Sequence, residues 1–225
     1  MPAGLPSIHY SFNDPALLVT ALTHSSYANE RGLGRQACNE RLEFLGDSVL
    51  GYITAEYLYK NYPGKTEGEL TRMRSVLVCE ANLAAAARQL ELGKHLLVGK
   101  GEEQSGGRNR ASILADAYEA AVAAIYLDGG QFHAERFVCE SILSDPDTVF
   151  SRVADYKTRL QEIVQVDGAP LPEYRIINER GPEHAKIFTA QAIIRGKVFG
   201  TGEGATKKDA EQAAAKSALE NLPKA

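Results

Sequence analysis

The run ASILADAYEAAVAAIYL, residues 111–127, is apolar almost all the way round a helical turn, and a helix without a polar face has to be enclosed by other parts of its own chain. It therefore marks a helix buried inside its protein. Within it stand Asp116 and Glu119, three residues apart and so on one face. Ionised carboxylates in apolar surroundings are costly unless paired or bound to a metal, and this run has no basic residue of its own. Something positive must come from elsewhere.

A second run, NERLEFLGDSVL (residues 39–50), sharpens the question. At about 100° per residue, Glu40, Glu43 and Asp47 fall within a sector of roughly 60°, while Leu42, Leu45, Val49 and Ile53 share the opposite side. Taken alone, the acids read as a solvated face, with Glu40 and Glu43 favoured by the positive end of the helix dipole. Taken with Asp116 and Glu119, they leave two readings open. Arg41, Arg72 or Arg74 supplies a structural ion pair, or two helices each offering carboxylates at one-turn spacing hold a hard cation, Mg²⁺ or Mn²⁺, in an all-oxygen shell. Such a site suits phosphodiester hydrolysis, because the ion lowers the pKa of water and stabilises charge on phosphoryl and leaving oxygens. Zinc is disfavoured: His9, His24, His95, His133 and His184 are scattered, and Cys38, Cys79 and Cys139 form no C-x-x-C pair. Phe44 lies nearer the acidic sector than the Leu stripe, so it packs into a neighbouring loop or enters a pocket on a second subunit.

Composition, 44% hydrophobic and 24% charged over 225 residues, is that of a globular chain with one large or two smaller domains. No apolar run approaches the ~18 residues of a membrane span, and MPAGLPSIHYSFNDP lacks the blocks of a secretory signal. The chain is read as cytoplasmic, without a membrane partner. Its net charge of −4 argues on average against a polyanionic partner, but the average misleads. Up to Ala154 there are 14 Lys and Arg against 19 Asp and Glu; beyond it, 11 against 10.

Helical periodicity dominates to about residue 142: residues 14–27, 39–61, 67–80, 81–92, 111–127 and 129–143, with breaks at NYPGKTEG, at residues 92–110 and at LDGG. Pro146 and the clustered acids are expected to end the last of these and to open a boundary, giving domains 1–150 and 155–225. The second domain reads as α-β-β-β-α: a helix KTRLQEIVQV, strands within PEYRIINERG, AKIFTAQAIIRG and KVFGTGEG, and a helix TKKDAEQAAAKSALENL. Thr206 is a plausible N-cap, followed by Lys207 and Lys208 in the first turn. The helix dipole disfavours lysines there. A structural reading accepts that penalty, whereas a functional one uses the free N–H groups and two ammonium groups to bind phosphate. The glycines of GTGEG permit close backbone approach.

These motifs resemble bacterial ribonuclease III over nearly the whole chain. NERLEFLGDSVL matches the signature of that family without departure, and ASILADAYE, THSSYANE and EGELTRMRS also fit; KTRLQEIVQ, GPEHAKIFTAQ and GTGEGATKKDAEQAAAKSAL are similar to the double-stranded-RNA-binding domain. The resemblance implies an all-α endonuclease domain forming a homodimer, followed by a small α+β RNA-binding domain. By motif position, Glu43, Asp47, Asp116 and Glu119 would hold catalytic Mg²⁺, with Mn²⁺ a substitute, and orient the hydrolytic water. Glu40 and Glu67 would line the cleft in support, and Phe44 would plug a socket on the partner subunit. Thr158, Gln161, Glu162 and the segment Pro182, Glu183 and His184 would contact the minor groove of double-stranded RNA, with Lys207 and Lys208 on phosphates. Both strands would be cut, leaving 5′-phosphate and 3′-hydroxyl ends with a short 3′ overhang, in the processing of ribosomal RNA precursors and other structured transcripts. Two other classes would leave different marks. A relative that only binds RNA would be marked by lost acids, and all four metal positions are filled; an unrelated helical phosphohydrolase would carry an H-D pair, and there is none.

Overall fold

The computed structural model describes residues 8–153, 156–166, 170–182 and 186–222 and divides into two compact units, Met1–Val153 and Ala154–Ala225. In the first, helices α1 (Pro15–Ala21), α2 (Ser25–Glu30), α3 (Glu40–Asn61), α4 (Glu67–Leu77), α5 (Glu80–Gln89), α6 (Leu92–His95) and α7 (Lys100–Gln104) precede α8 (Ala111–Gly129), α9 (Gln131–Ser141) and α10 (Pro146–Val153). The enclosed helix is α8. From Ile113 to Ile125 its side chains are buried apart from the two acids, and α3, α5, α9 and α1 pack around it. Tyr118 is fully buried there, stacked on Phe137 at 5.4 Å between ring centroids, and its hydroxyl meets Ser141 Oγ at 2.6 Å. Among the described residues no helix is long and apolar enough to cross a membrane.

Three sequence expectations are corrected here. Residues 14–27 do not form one helix: the chain breaks at Leu22–His24, where Thr23 bridges Leu97, His24 N–H donates to Leu97 O (2.9 Å), and the His24 ring caps α2 by accepting from Ser26 N–H. Nor is 92–110 an unbroken loop, since it contains α6, α7 and a 3₁₀ turn at Gly107–Asn109. Finally, Pro146 starts a helix. Asp145 accepts from Thr148 N–H at 3.2 Å as an N-cap, proline occupies the first helical position where its missing N–H costs nothing, and Tyr62 clasps the helix through Asp147 (3.1 Å) and Phe150.

The second unit runs α11 (Tyr156–Val166), β1 (Glu173–Arg180), β2 (Ile187–Ile194), β3 (Lys197–Gly204) and α12 (Lys207–Asn221), with an antiparallel sheet in the order β1-β2-β3. Its core is Leu160 and Val164 of α11, Ala190, Ala192 and Ile194 of β2, and Ala210, Ala214, Ala215 and Ala218 of α12. So small a core works only if the helix lies directly on the sheet. Gly200, Gly202 and Gly204 make that contact: a Cβ added at each would stand 2.2–2.4 Å from the α12 backbone at Ala214, Ala218 or Ala210. The close approach that GTGEG permits is therefore to its own helix. Replacing Gly202 by Ala is expected to cost at least about 2 kcal/mol by forcing helix and sheet apart. Gly68→Ala, exposed in α4 with open space around it, should change stability by less than about 1 kcal/mol. Urea unfolding, followed by amide signals of β2 for the first variant and of α4 for the second, distinguishes them.

Candidate active site

The acids of α3 and α8 are brought together by a backbone contact. A Cβ at Gly46 would stand 2.0 Å from the carbonyl oxygen of Glu119, so only glycine lets α3 lie this close to α8. Gly46 precedes Asp47 and follows Glu43 by three residues, which puts both acids beside Glu119. Glu43, Asp116 and Glu119 are half-buried, whereas Glu40 and Asp47 are exposed. The three half-buried acids are all raised from their ordinary values. Burial pushes the Glu119 carboxyl up to about 7, with Asp47, Glu43 and Asp116 each adding to the rise. Glu43 is raised by burial and then by Asp116, Glu40 and Asp47. Asp116 is also raised by burial, with His24 pulling it back and Glu80 adding to it.

Among the described residues, neither Arg41 nor Arg74 forms an ion pair with Glu43, Asp47, Asp116 or Glu119. Nor do any three described His, Cys, Asp or Glu side chains already stand as a coordinating group. Carboxylates that repel each other without a counter-charge do not close into a cage on their own. The donor set, all carboxylate oxygen and neither thiolate nor imidazole, fits a hard divalent cation.

Two residues near Asp116 escaped the sequence reading: His24, named there only among the scattered histidines, and Glu80 at the start of α5. Glu67 belongs to the groove lined by α3 and α4. It accepts from Thr71 Oγ1 (3.2 Å) and shares that groove with Tyr52, Tyr59, Lys65 and Arg74. Phe44 is 79% exposed, so no described loop covers it; it borders a cavity of about 670 Å³ with Leu17, Cys38, Leu42, Leu45 and Leu127.

In the second unit Thr206 does cap α12, accepting from Asp209 N–H at 3.1 Å, and Lys207 and Lys208 are exposed beside it. The sheet register places this end next to the β1–β2 connection, since Phe188 opposes both Glu179 and Gly204. Pro182 is exposed there; Glu183 and His184 lie outside the described residues. Gln161 and Glu162 are exposed and Thr158 half-buried on the side of α11 away from Leu160, a face that Gln165 shares.

The raised Glu119 has a consequence for the metal-free protein. Below its ordinary value of 4.5 the folded and unfolded chains both carry the proton; between 4.5 and about 7 the unfolded chain gives it up first, so folding loses ground as pH rises. Melts in EDTA are expected to show Tm falling by a few degrees over that window. Glu119→Gln should remove the largest share of the slope, and a slope unchanged in the variant contradicts the coupling.

Residues 14–146 match the family described as Ribonuclease-III-like, and residues 156–222 the double-stranded RNA binding motif. Ribonuclease 3 of Desulforamulus reducens is 52% identical over 217 residues, spanning 95% of this chain and 87% of that protein. Ribonuclease 3 of Caldanaerobacter subterraneus subsp. tengcongensis is 50% identical, spanning 96% and 95%. Among solved structures, the nuclease domain of ribonuclease III from Campylobacter jejuni, reported for flexibility in a region involved in dimer formation, superposes with a TM-score of 0.56 at 39% identity, covering 61% of this chain and 94% of that one. With both modules matched in order and relatives half identical over nearly its whole length, the chain belongs to the ribonuclease III family, a helical nuclease domain followed by a double-stranded-RNA-binding domain.

Proposed function

We propose that the chain is a divalent-metal-dependent endoribonuclease that hydrolyses phosphodiester bonds in both strands of double-stranded RNA. The observation that carries this reading is the convergence of Glu43, Asp47, Asp116 and Glu119 from two helices joined at Gly46, where the other three acids help raise the Glu119 carboxyl. These four would hold Mg²⁺, with Mn²⁺ as substitute. The ion, when bound, lowers the pKa of water and offsets charge on the phosphoryl oxygens.

The remaining work falls to the chain. Glu119, half-buried among three acids, has its carboxyl pushed up to about 7, and a cation bound beside it would favour its charged form. Asp47, exposed at the mouth, faces the substrate side, and Glu40 and Glu67 support substrate placement. An acidic pocket repels a polyanion, so cutting should depend strictly on the cation. In the second domain Thr158, Gln161, Glu162 and the segment Pro182 to His184 meet the minor groove, and Lys207 and Lys208 meet phosphates across the major groove. This mode reads A-form shape rather than base sequence.

Phe44 supports a homodimer: an aromatic this exposed beside a cavity seats in a second copy, where a two-fold axis makes the contact reciprocal. Two sites, one per strand, leave 5′-phosphate and 3′-hydroxyl ends with a short 3′ overhang. Cytoplasmic ribosomal RNA precursors and other structured transcripts are the natural substrates.

Incubation of the intact chain with long duplex RNA tests this. Short products are expected with Mg²⁺, none with EDTA, and binding without cutting in Ca²⁺. Glu119→Gln should abolish cutting while duplex affinity stays within about twofold, since binding rests on the other domain. Phe44→Asp should shift the chain to monomer in sedimentation. Normal cutting by Glu119→Gln, or products in EDTA, contradicts the reading.

A further inference from the structure

The phosphate-facing end of α12 contains a charge that duplex binding does not call for. Glu179 opposes Phe188 across β1 and β2, and Phe188 opposes Gly204 across β2 and β3, so the three form a row at the sheet end where β3 hands over to α12. Cross-strand partners share a face. Phe188 packs against the cluster under the helices, and Glu179 is therefore on the helix side too. Lys207 Nζ stands 5.9 Å from the centre of the Phe188 ring, and Lys186 Nζ donates to Glu179 Oε1 at 2.5 Å. The Lys186 hydrogen bond holds the Glu179 carboxyl below the usual range, and the charges of Lys186 and Lys207 add to this against desolvation.

We infer that Glu179 is an affinity-limiting residue for duplex RNA, a fixed carboxylate that occupies Lys186 and screens Lys207 where phosphate has to bind. This rests on the RNA-binding role given above to the α12 end. Lys208, by contrast, has no ion pair among the described residues. Phosphate must displace Glu179 from Lys186 and approach Lys207 against a like charge. Lys186, which the sequence motifs did not single out, thereby becomes a third cation of the same surface, released as RNA arrives.

A purely structural ion pair makes a different forecast, because losing either partner would then loosen the β1–β2 connection and weaken binding alike. The test uses the intact chain carrying Glu119→Gln, so that RNA is not cut, and a 30-base-pair duplex titrated at several salt concentrations. Glu179→Gln is expected to tighten binding at least about threefold and to steepen the salt dependence by about one phosphate's worth. Lys186→Ala is expected to weaken binding and flatten that dependence. Opposite signs support the inference; unchanged or weaker binding by Glu179→Gln, with its melt intact, overturns it. Replacing Lys207 and Lys208 together by Ala separates the two levels. If that double variant binds with an unchanged salt slope, the α12 end is not the phosphate surface and the reading beneath the inference fails. If it weakens while Glu179→Gln does not tighten, only the inference fails.

Discussion

The backbone of α3 reaches the backbone of α8 at Gly46, and the place of each acid in the candidate site follows from that contact. One methyl group there would collide with the Glu119 carbonyl at 2.0 Å. The approach is worth its packing constraint only because of what flanks it: Glu43 and Asp47 are carried up to Asp116 and Glu119, where their charges help raise the Glu119 carboxyl. Interiors are too dense to absorb a wider spacing silently. The apolar surround of α8 serves the same end, since it fixes Asp116 and Glu119 on a helix that has no freedom to turn away.

The second domain uses the same device for another purpose. Gly200, Gly202 and Gly204 let α12 settle on β3 through alanines, giving a small dry core and bringing the capped end of α12 to the β1–β2 connection. The lysines at that end accept an unfavourable place in the helix dipole. On the proposed reading, a domain of such modest net charge would bind a polyanion by where its cations stand, with a carboxylate among them setting the strength.

Much of this was legible in the chain itself. The all-round apolarity of residues 111–127 announced an enclosed helix, the 100° arithmetic separated Glu40, Glu43 and Asp47 from the Leu stripe, and the angle of Phe44 marked a side chain without a home in its own core. The α-β-β-β-α order followed from periodicity changing between 3.6 and 2. What was missed depended on contacts between residues distant in sequence. Nothing local in residues 14–27 reveals that Thr23 will pair with Leu97 instead of continuing a helix. His24 and Glu80 approach Asp116 from far along the chain, and Gly46 looks like any helix glycine until α8 is laid against it. Pro146 was legible and misjudged: Asp-Pro is a start signal as readily as a stop.

On the proposed reading, the Gly46 contact assembles a cation site from α3 and α8. The most direct measurement is Mn²⁺ binding to the intact chain by electron paramagnetic resonance, comparing Gly46→Ala with Gly51→Ala, a change in the same helix where a Cβ meets open space. The wild type and Gly51→Ala are expected to bind alike, Gly46→Ala at least about tenfold more weakly, and Glu119→Gln, which keeps the contact but loses a charged donor, to be weakened as well. Wild-type Mn²⁺ affinity in either Gly46→Ala or Glu119→Gln would contradict the account.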